Sequence, residues 1–100
     1  MSVTIPWYVS TEFVKPAPDL VRSAKGFTVA FHPPGGVDYS DDVCGKIHVG
    51  TELYHDPVRH VIFRNSRDLK AMPRSRATEI LDNVKRAMEF LGRPAEIHQE

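Results

Sequence analysis

The strongest periodic pattern in the chain lies in "PRSRATEILDNVKRAMEFLG", residues 73–92. Apolar residues recur there at intervals of three and four, which places them on one face of a helix: Ala77, Ile80, Leu81, Val84, Met88 and Leu91. Outside that face lie two pairs of opposite charge spaced four residues apart, Asp82 with Arg86 and Lys85 with Glu89. Pro73 suits a first turn and Gly92 suits a stop. The pattern predicts a helix over residues 74–91 whose apolar face packs against a sheet.

Shorter segments before this helix carry strand patterns. "FTVAF", residues 27–31, alternates so that Phe27, Val29 and Phe31 fall on one side. "KIHVGTELY", residues 46–54, alternates as well, and "RHVIF", residues 59–63, follows after the turn residues "HDPV". A three-residue loop over 56–58 would gather the apolar residues on one face, with Val61 and Phe63 beside Leu53 and Thr51. The sequence therefore predicts a hairpin in that register.

The first quarter of the chain has weaker patterns. "TIPWYVSTEFV", residues 4–14, is rich in β-branched and aromatic residues and is typical of a strand. "PAPDLVRSAKG", residues 16–26, suits one or two helical turns. Trp7, Tyr8 and Phe13 are expected to cap one end of the core, and the alternative is that Trp7 and Tyr8 are exposed anchors for a partner.

The predicted order of elements is strand, short helix, three strands, long helix. This order favours a single α+β domain over residues 1–100. Its antiparallel sheet of three to four strands would be packed on one face by the long C-terminal helix.

Composition limits the functional classes. Hydrophobic residues make up 41% of the chain and charged residues 26%, which is ordinary globular usage and argues against disorder. The formal net charge is zero, whereas a dedicated nucleic-acid binder is more often clearly basic. No apolar run reaches the roughly 18 residues of a membrane-spanning helix, and residues 1–13 lack a secretory signal pattern. Because Cys44 is the only cysteine, no internal disulfide forms, and a cytoplasmic location is expected.

Charged residues form two blocks of opposite sign. Residues 37–57 contain five acids and one base, and residues 59–76 contain six bases and one acid. If the blocks pair with each other, for instance Glu52 with Arg59 or Arg64, they neutralise one another. If they do not interleave in space, they form a bipolar surface.

The basic segment "RNSRDLKAMPRSR", residues 64–76, leads into the start of the long helix. The N-terminal turn of a helix favours acids, because its free N–H groups carry partial positive charge, yet this helix begins with Arg74 and Arg76. A bound anion would relieve the repulsion, and the alternative is that both side chains extend into water or meet Glu96 and Glu100. We therefore predict a partner-binding surface made of the basic residues of this segment: Arg64, Arg67, Lys70, Arg74 and Arg76.

The sequence predicts no catalytic residues, no cofactor and no metal site. Neither C-x-x-C nor H-x₃-H spacing occurs, and a thiol nucleophile needs a neighbouring base. Cys44 is interpreted as a small buried hydrophobe. His48 and His60 are interpreted as surface strand residues that could share the sheet face opposite the core. "HPPGG", residues 32–36, lacks the phosphate-loop pattern and is interpreted as a turn.

These observations favour a small non-enzymatic protein-binding module, such as an inhibitor, immunity factor or regulator, that faces an acidic patch on another protein. The alternative is an RNA- or DNA-binding module that uses residues 64–76. A helix, three strands and a second helix also match the layout of double-stranded-RNA-binding domains, although "RDLKAMPRSR" replaces the expected glycine and lysine pattern. A small enzyme or ligand binder is the least favoured class, and a homodimer is compatible with all of them.

Overall fold

The computed structural model describes residues 12–32 and 35–98, which form two sheets and two helices. Sheet A is an antiparallel meander whose five strands follow chain order: β1 (Phe13–Ala17), β2 (Leu20–Ser23), β3 (Phe27–Phe31), β4 (Val37–Asp41) and β5 (Gly45–Val49). Sheet B contains three strands in the order β6, β7, β8: β6 (Thr51–Tyr54), β7 (Arg59–Phe63) and β8 (Ala95–His98). The helices α1 (Arg67–Lys70) and α2 (Arg74–Phe90) lie between β7 and β8 in the chain.

Sheet A buries one face through the alternation of its strands. Val21, Val29 and Tyr39 stand opposite one another on β2, β3 and β4, and all three are buried. Phe27 and Phe31 lie two residues either side of Val29 and are buried on the same face. The predicted strand over residues 27–31 is therefore confirmed.

Helix α2 packs its apolar face against this surface and against sheet B. Its buried apolar residues belong to one core cluster that also contains residues of both sheets, and they are Ala77, Ile80, Leu81, Val84, Ala87 and Met88. The two predicted ion pairs form, with Lys85 to Glu89 at 2.9 Å and Arg86 to Asp82 at 3.2 Å. At the C-terminus, Gly92 has φ 76° and Arg93 N donates to the Met88 carbonyl at 3.0 Å, which ends the helix. The predicted helix is confirmed.

The number of strands and the hairpin differ from the prediction. Residues 46–54 form two strands, because the chain leaves sheet A at Gly50 and enters sheet B. The loop between β6 and β7 has four residues, 55–58, and Leu53 stands opposite His60 rather than Val61. The predicted register is wrong because Val61 and Ile62 are both buried, so the apolar pattern of β7 does not mark one face.

Residues 16–26 contain strand rather than helix. Pro18 lies in the turn between β1 and β2, and Gly26, with φ 99°, lies in the turn between β2 and β3. Proline and glycine are typical of the two ends of a helix, which is why the segment suits helical turns in sequence, but here each residue marks a reversal of the chain. Without a helix in this segment, the layout of a double-stranded-RNA-binding domain is wrong for this chain.

The long helix is not the last element. Strand β8 follows it and pairs with β7 in parallel, so a crossover through α1 and α2 joins the two strands.

Phe13 is buried, and the centroid of its ring lies 6.0 Å from that of Phe27 and 5.3 Å from that of Phe90, which confirms its predicted place in the core. Trp7 and Tyr8 lie outside the described residues. No helix in the described part of the chain is both long enough and apolar enough to cross a membrane.

We expect Leu81→Ala to lower the free energy of unfolding by about 2–5 kcal/mol, because the change leaves a cavity between α2 and the sheets. Leu53→Ala is the matched control, since Leu53 is 41% exposed and its loss should cost on the order of 1 kcal/mol. Urea titration of both variants measures the two values. Equal losses would contradict the packing described for α2.

Candidate functional site

Two side chains hold the basic segment against the last strand of sheet A. The Ser66 hydroxyl accepts a hydrogen bond from Gly50 N at 2.8 Å and donates to the Phe63 carbonyl at 2.7 Å. The Asp68 carboxylate accepts from His48 N at 3.0 Å. These bonds satisfy backbone donors that β5 would otherwise leave open at the edge of the sheet. The only acid of residues 64–76 is therefore directed toward sheet A.

The basic ridge, as we name it, consists of Arg64, Arg67, Lys70 and Arg74. Arg67, Lys70 and Arg74 are exposed, and the first two lie three residues apart on one side of α1. Arg64 donates to the Thr78 hydroxyl at 3.2 Å, and Thr78 lies one helical turn after Arg74. Among the described residues, no carboxylate lies within ion-pair distance of Arg67, Lys70 or Arg74.

Arg76, the fifth residue of the predicted surface, has a different environment. Its guanidinium forms an ion pair with Asp41 and another with Glu79 at 2.9 Å, and its side chain is 19% exposed. These contacts raise the pKa of Arg76 against the opposing effect of burial. The ion pair of Arg76 with Asp41 therefore connects the start of α2 to the turn between β4 and β5.

Pairing between the acidic and basic blocks occurs, but through Arg76 rather than through Glu52. Arg59, an expected partner of Glu52, pairs with Glu96 at 2.8 Å and lies over the Tyr54 ring at 5.0 Å from its centroid. Glu96 therefore pairs with Arg59 and not with the arginines at the start of α2. Glu100, the other acid considered for that position, lies outside the described residues.

Asp41 is the centre of a polar network beneath α2. One carboxylate oxygen accepts from Val43 N and Cys44 N, both at 2.9 Å, and the other accepts from the Tyr39 hydroxyl at 2.9 Å and from Arg76. Burial alone would raise the pKa of Asp41, but these donors outweigh it and hold the pKa well below its ordinary value. The carboxylate is therefore ionised throughout the neutral range.

The network continues along α2 to the start of β1. The Tyr39 hydroxyl accepts from Asn83 at 3.2 Å, and Arg86 donates to Asn83 at 2.6 Å and to Glu12 at 2.5 Å. Burial, together with the neighbouring Asp41, raises the pKa of Tyr39 to about 12. A cleft of about 490 Å³ lies beside this network. Because its central charges pair with one another, the cleft is best explained as part of the scaffold.

His32 and His48 share one carboxylate, whereas His60 lies in the other sheet. His48 lies on β5 of sheet A and His60 on β7 of sheet B, so the predicted shared face is wrong. The Asp38 carboxylate contacts His32 Nε2 at 2.8 Å and His48 Nδ1 at 3.3 Å through different oxygens. Burial would raise the pKa of Asp38, but these hydrogen bonds lower it. Within the described ranges, no group of three or more His, Cys, Asp or Glu residues is arranged to hold a metal ion.

Cys44 lies in the turn between β4 and β5 and is partly buried against the core rather than fully buried. Burial and the adjacent Asp41 raise the pKa of its thiol. The thiol is therefore protonated at neutral pH, which is the opposite of what a nucleophilic cysteine requires.

No protein-family model, no curated protein and no solved structure matches this chain. The sequence located the bases of the ridge but missed the inward roles of Ser66, Asp68 and Asp41. An available signal for Asp41 was the turn "DDVCG", in which an aspartate before a glycine is typical of a side chain that caps its own turn.

We expect Asp41→Asn to lower the free energy of unfolding at pH 7 by on the order of 3 kcal/mol, because it leaves Arg76 without its buried partner. Glu79→Gln, which removes the exposed partner of the same guanidinium, should cost about 0–1 kcal/mol. Chemical unfolding of both variants tests this difference.

The pH dependence follows from the depressed pKa of Asp41. Stabilisation by the ionised carboxylate is fully present above the pKa of about 3.9 that an unfolded aspartate has, and it is lost as the pH falls below that value. The gap between wild type and Asp41→Asn should therefore narrow below about pH 4. A gap that stays constant down to pH 2.5 would contradict the role given to Asp41.

Proposed function

We propose that this protein is a small non-enzymatic protein-binding module, such as an inhibitor, immunity factor or regulator, whose basic ridge meets an acidic patch on its partner. The observation that carries the proposal is the state of Arg67, Lys70 and Arg74. All three are exposed and without an ion pair in the described part of the chain, while Asp68, the acid between them, is hydrogen-bonded to His48 N. Charges that the fold leaves uncompensated are available to a partner.

The ridge is held on rigid elements, which favours recognition. Ser66 and Asp68 fix α1 against β5, and the partial positive charge at the start of α2 adds to that of Arg74. Arg76 belongs to the same surface in the proposal, but it acts by positioning the start of α2 through Asp41. The proposal includes a cytoplasmic location, because a chain with a single cysteine forms no internal disulfide.

Nucleic acid is the second candidate, because the same unpaired cations would attract phosphates. Residues 64–76 contain no aromatic side chain on which a base could stack, and the net charge of the chain is zero. These two observations favour a protein partner over RNA or DNA.

The decisive experiment is a quantitative pull-down from lysate of the source cells. The ridge variant carries Arg67→Glu, Lys70→Glu and Arg74→Glu. The control variant carries Lys15→Glu, Arg22→Glu and Lys25→Glu, three exposed cations of sheet A and its turns that change the net charge by the same amount. We expect a protein partner that survives nuclease treatment, is captured equally by wild type and control, and is reduced at least about tenfold with the ridge variant.

Two results would contradict the proposal. Equal capture by the ridge variant, with an unchanged melting temperature, would show that the ridge is only a solvated connection between strands and helix. Loss of the captured material on nuclease treatment, with an affinity for purified RNA or DNA that falls steeply with salt, would favour the nucleic-acid function instead.

A further inference from the structure

The described residues cover the inner face of sheet B incompletely near the β6–β7 hairpin. Thr51 and Leu53 on β6 stand opposite Ile62 and His60 on β7, so these four residues share one face. Ile62 on that face is fully buried in the core cluster beneath α2. Leu53 on the same face is nevertheless 41% exposed. The described side chains therefore leave an apolar gap where this face approaches the end of sheet A.

A cleft of about 410 Å³ occupies this gap. Its exposed surface is predominantly apolar; Phe31 at the end of β3, Leu53 on β6 and Met88 on α2 line it, together with polar residues that include His32, Thr51, His60 and Arg93. Small-molecule sites commonly have volumes of roughly 300–1,000 Å³ and combine such walls with a few polar groups. The cleft has the size and the lining of a ligand site, and it is separate from the basic ridge.

One end of the cleft carries a positive charge. Arg93 lines the cleft, and its guanidinium lies 5.0 Å from the centroid of the Phe31 ring. Its ion pair with Asp19, at 3.3 Å, joins two partly exposed side chains and is correspondingly weak. Arg93 therefore has hydrogen-bond donors available for a carboxylate at the mouth of the cleft.

Apart from its ion pair with Asp19, the charge of Arg93 is not neutralised by the described ionisable groups that line the cleft. Glu52 stands opposite Val61, on the face of sheet B that points away from the cleft, so it borders the cleft with its backbone. His60 is partly buried, and burial together with the charge of Arg93 lowers its pKa, so its ring is neutral at neutral pH. His32 is engaged by Asp38 at 2.8 Å.

We propose that this cleft binds a small amphipathic carboxylate, with its apolar body against Phe31, Leu53 and Met88 and its carboxylate on Arg93. Charge complementarity selects an anion, and the apolar wall selects a hydrocarbon chain or ring. The proposal extends beyond the basic ridge, since no residue of the ridge lines this cleft.

The test uses octanoate as the probe and 1-octanol as its uncharged counterpart, with affinities measured by amide chemical-shift titration of the full chain. We expect saturable binding of octanoate at one site. Arg93→Gln should weaken octanoate by at least about tenfold and change the affinity for octanol by less than about twofold, because only the carboxylate loses its partner. Leu53→Trp, which fills the cleft, should weaken both probes. Arg67→Gln, which removes a cation from the basic ridge, should affect neither.

A second variant keeps the test informative if Arg93→Gln does not fold. Asp19→Asn removes only the exposed partner of Arg93, so it should tighten octanoate binding and leave octanol unchanged. Absence of saturable octanoate binding to wild type would overturn the proposal. So would equal affinities for octanoate and octanol, insensitivity to Leu53→Trp, or dimerisation that fills the cleft with a second copy of the chain.

Discussion

The burial of one helix face between two sheets is the interaction on which the rest of this structure depends. Within residues 12–32 and 35–98, sheets A and B share no strand ladder, because the chain leaves one at Gly50 and begins the other. Ile80, Leu81 and Val84 of α2 are fully buried in a core that includes residues of both sheets. Each such side chain stabilises the fold by roughly 1.5–3 kcal/mol. The basic ridge lies on the chain that leads into α2. The position of α2 therefore also fixes the position of the ridge.

Polar contacts at the start of α2 divide its arginines into two kinds. Arg76 pairs with Asp41, which also accepts two backbone hydrogen bonds from its own turn, while Arg76 Nε has no hydrogen-bond partner among the described residues. Arg74, two residues earlier, is exposed, as Arg67 and Lys70 are, and has no carboxylate partner among the described residues. Like charges beside a helix N-terminus are unfavourable by a few tenths of a kcal/mol each. A functional surface is expected where the sequence breaks a local stabilising rule and no other contact compensates for the loss of stability.

Local sequence patterns predicted the helices and strands that depend on local contacts. The predictions that were wrong concern strands whose place is set by long-range pairing. The helix over residues 74–91 has its own periodicity, ion pairs and stop. Strand β8 has only four residues and takes its place by parallel pairing with β7, which no local pattern encodes. Alternation continues through Gly50, so it could not reveal the change of sheet. The bases of the ridge were visible in the sequence, but the sequence did not show that a carboxylate 35 residues away pairs with Arg76 and not with Arg74.

The most direct test of this account is the effect of neutralising each arginine on the free energy of unfolding, measured by urea titration at low and high salt. If Arg74 belongs to a surface that the fold leaves uncompensated, Arg74→Gln should leave stability unchanged or raise it by a few tenths of a kcal/mol at low salt. That difference should disappear at about 1 M salt, where the screening length is only about 3 Å. Arg76→Gln should be clearly destabilising under both conditions, because it leaves Asp41 without its buried partner. A loss of more than about 1 kcal/mol for Arg74→Gln would contradict the account, since it would show that Arg74 stabilises the fold as Arg76 does.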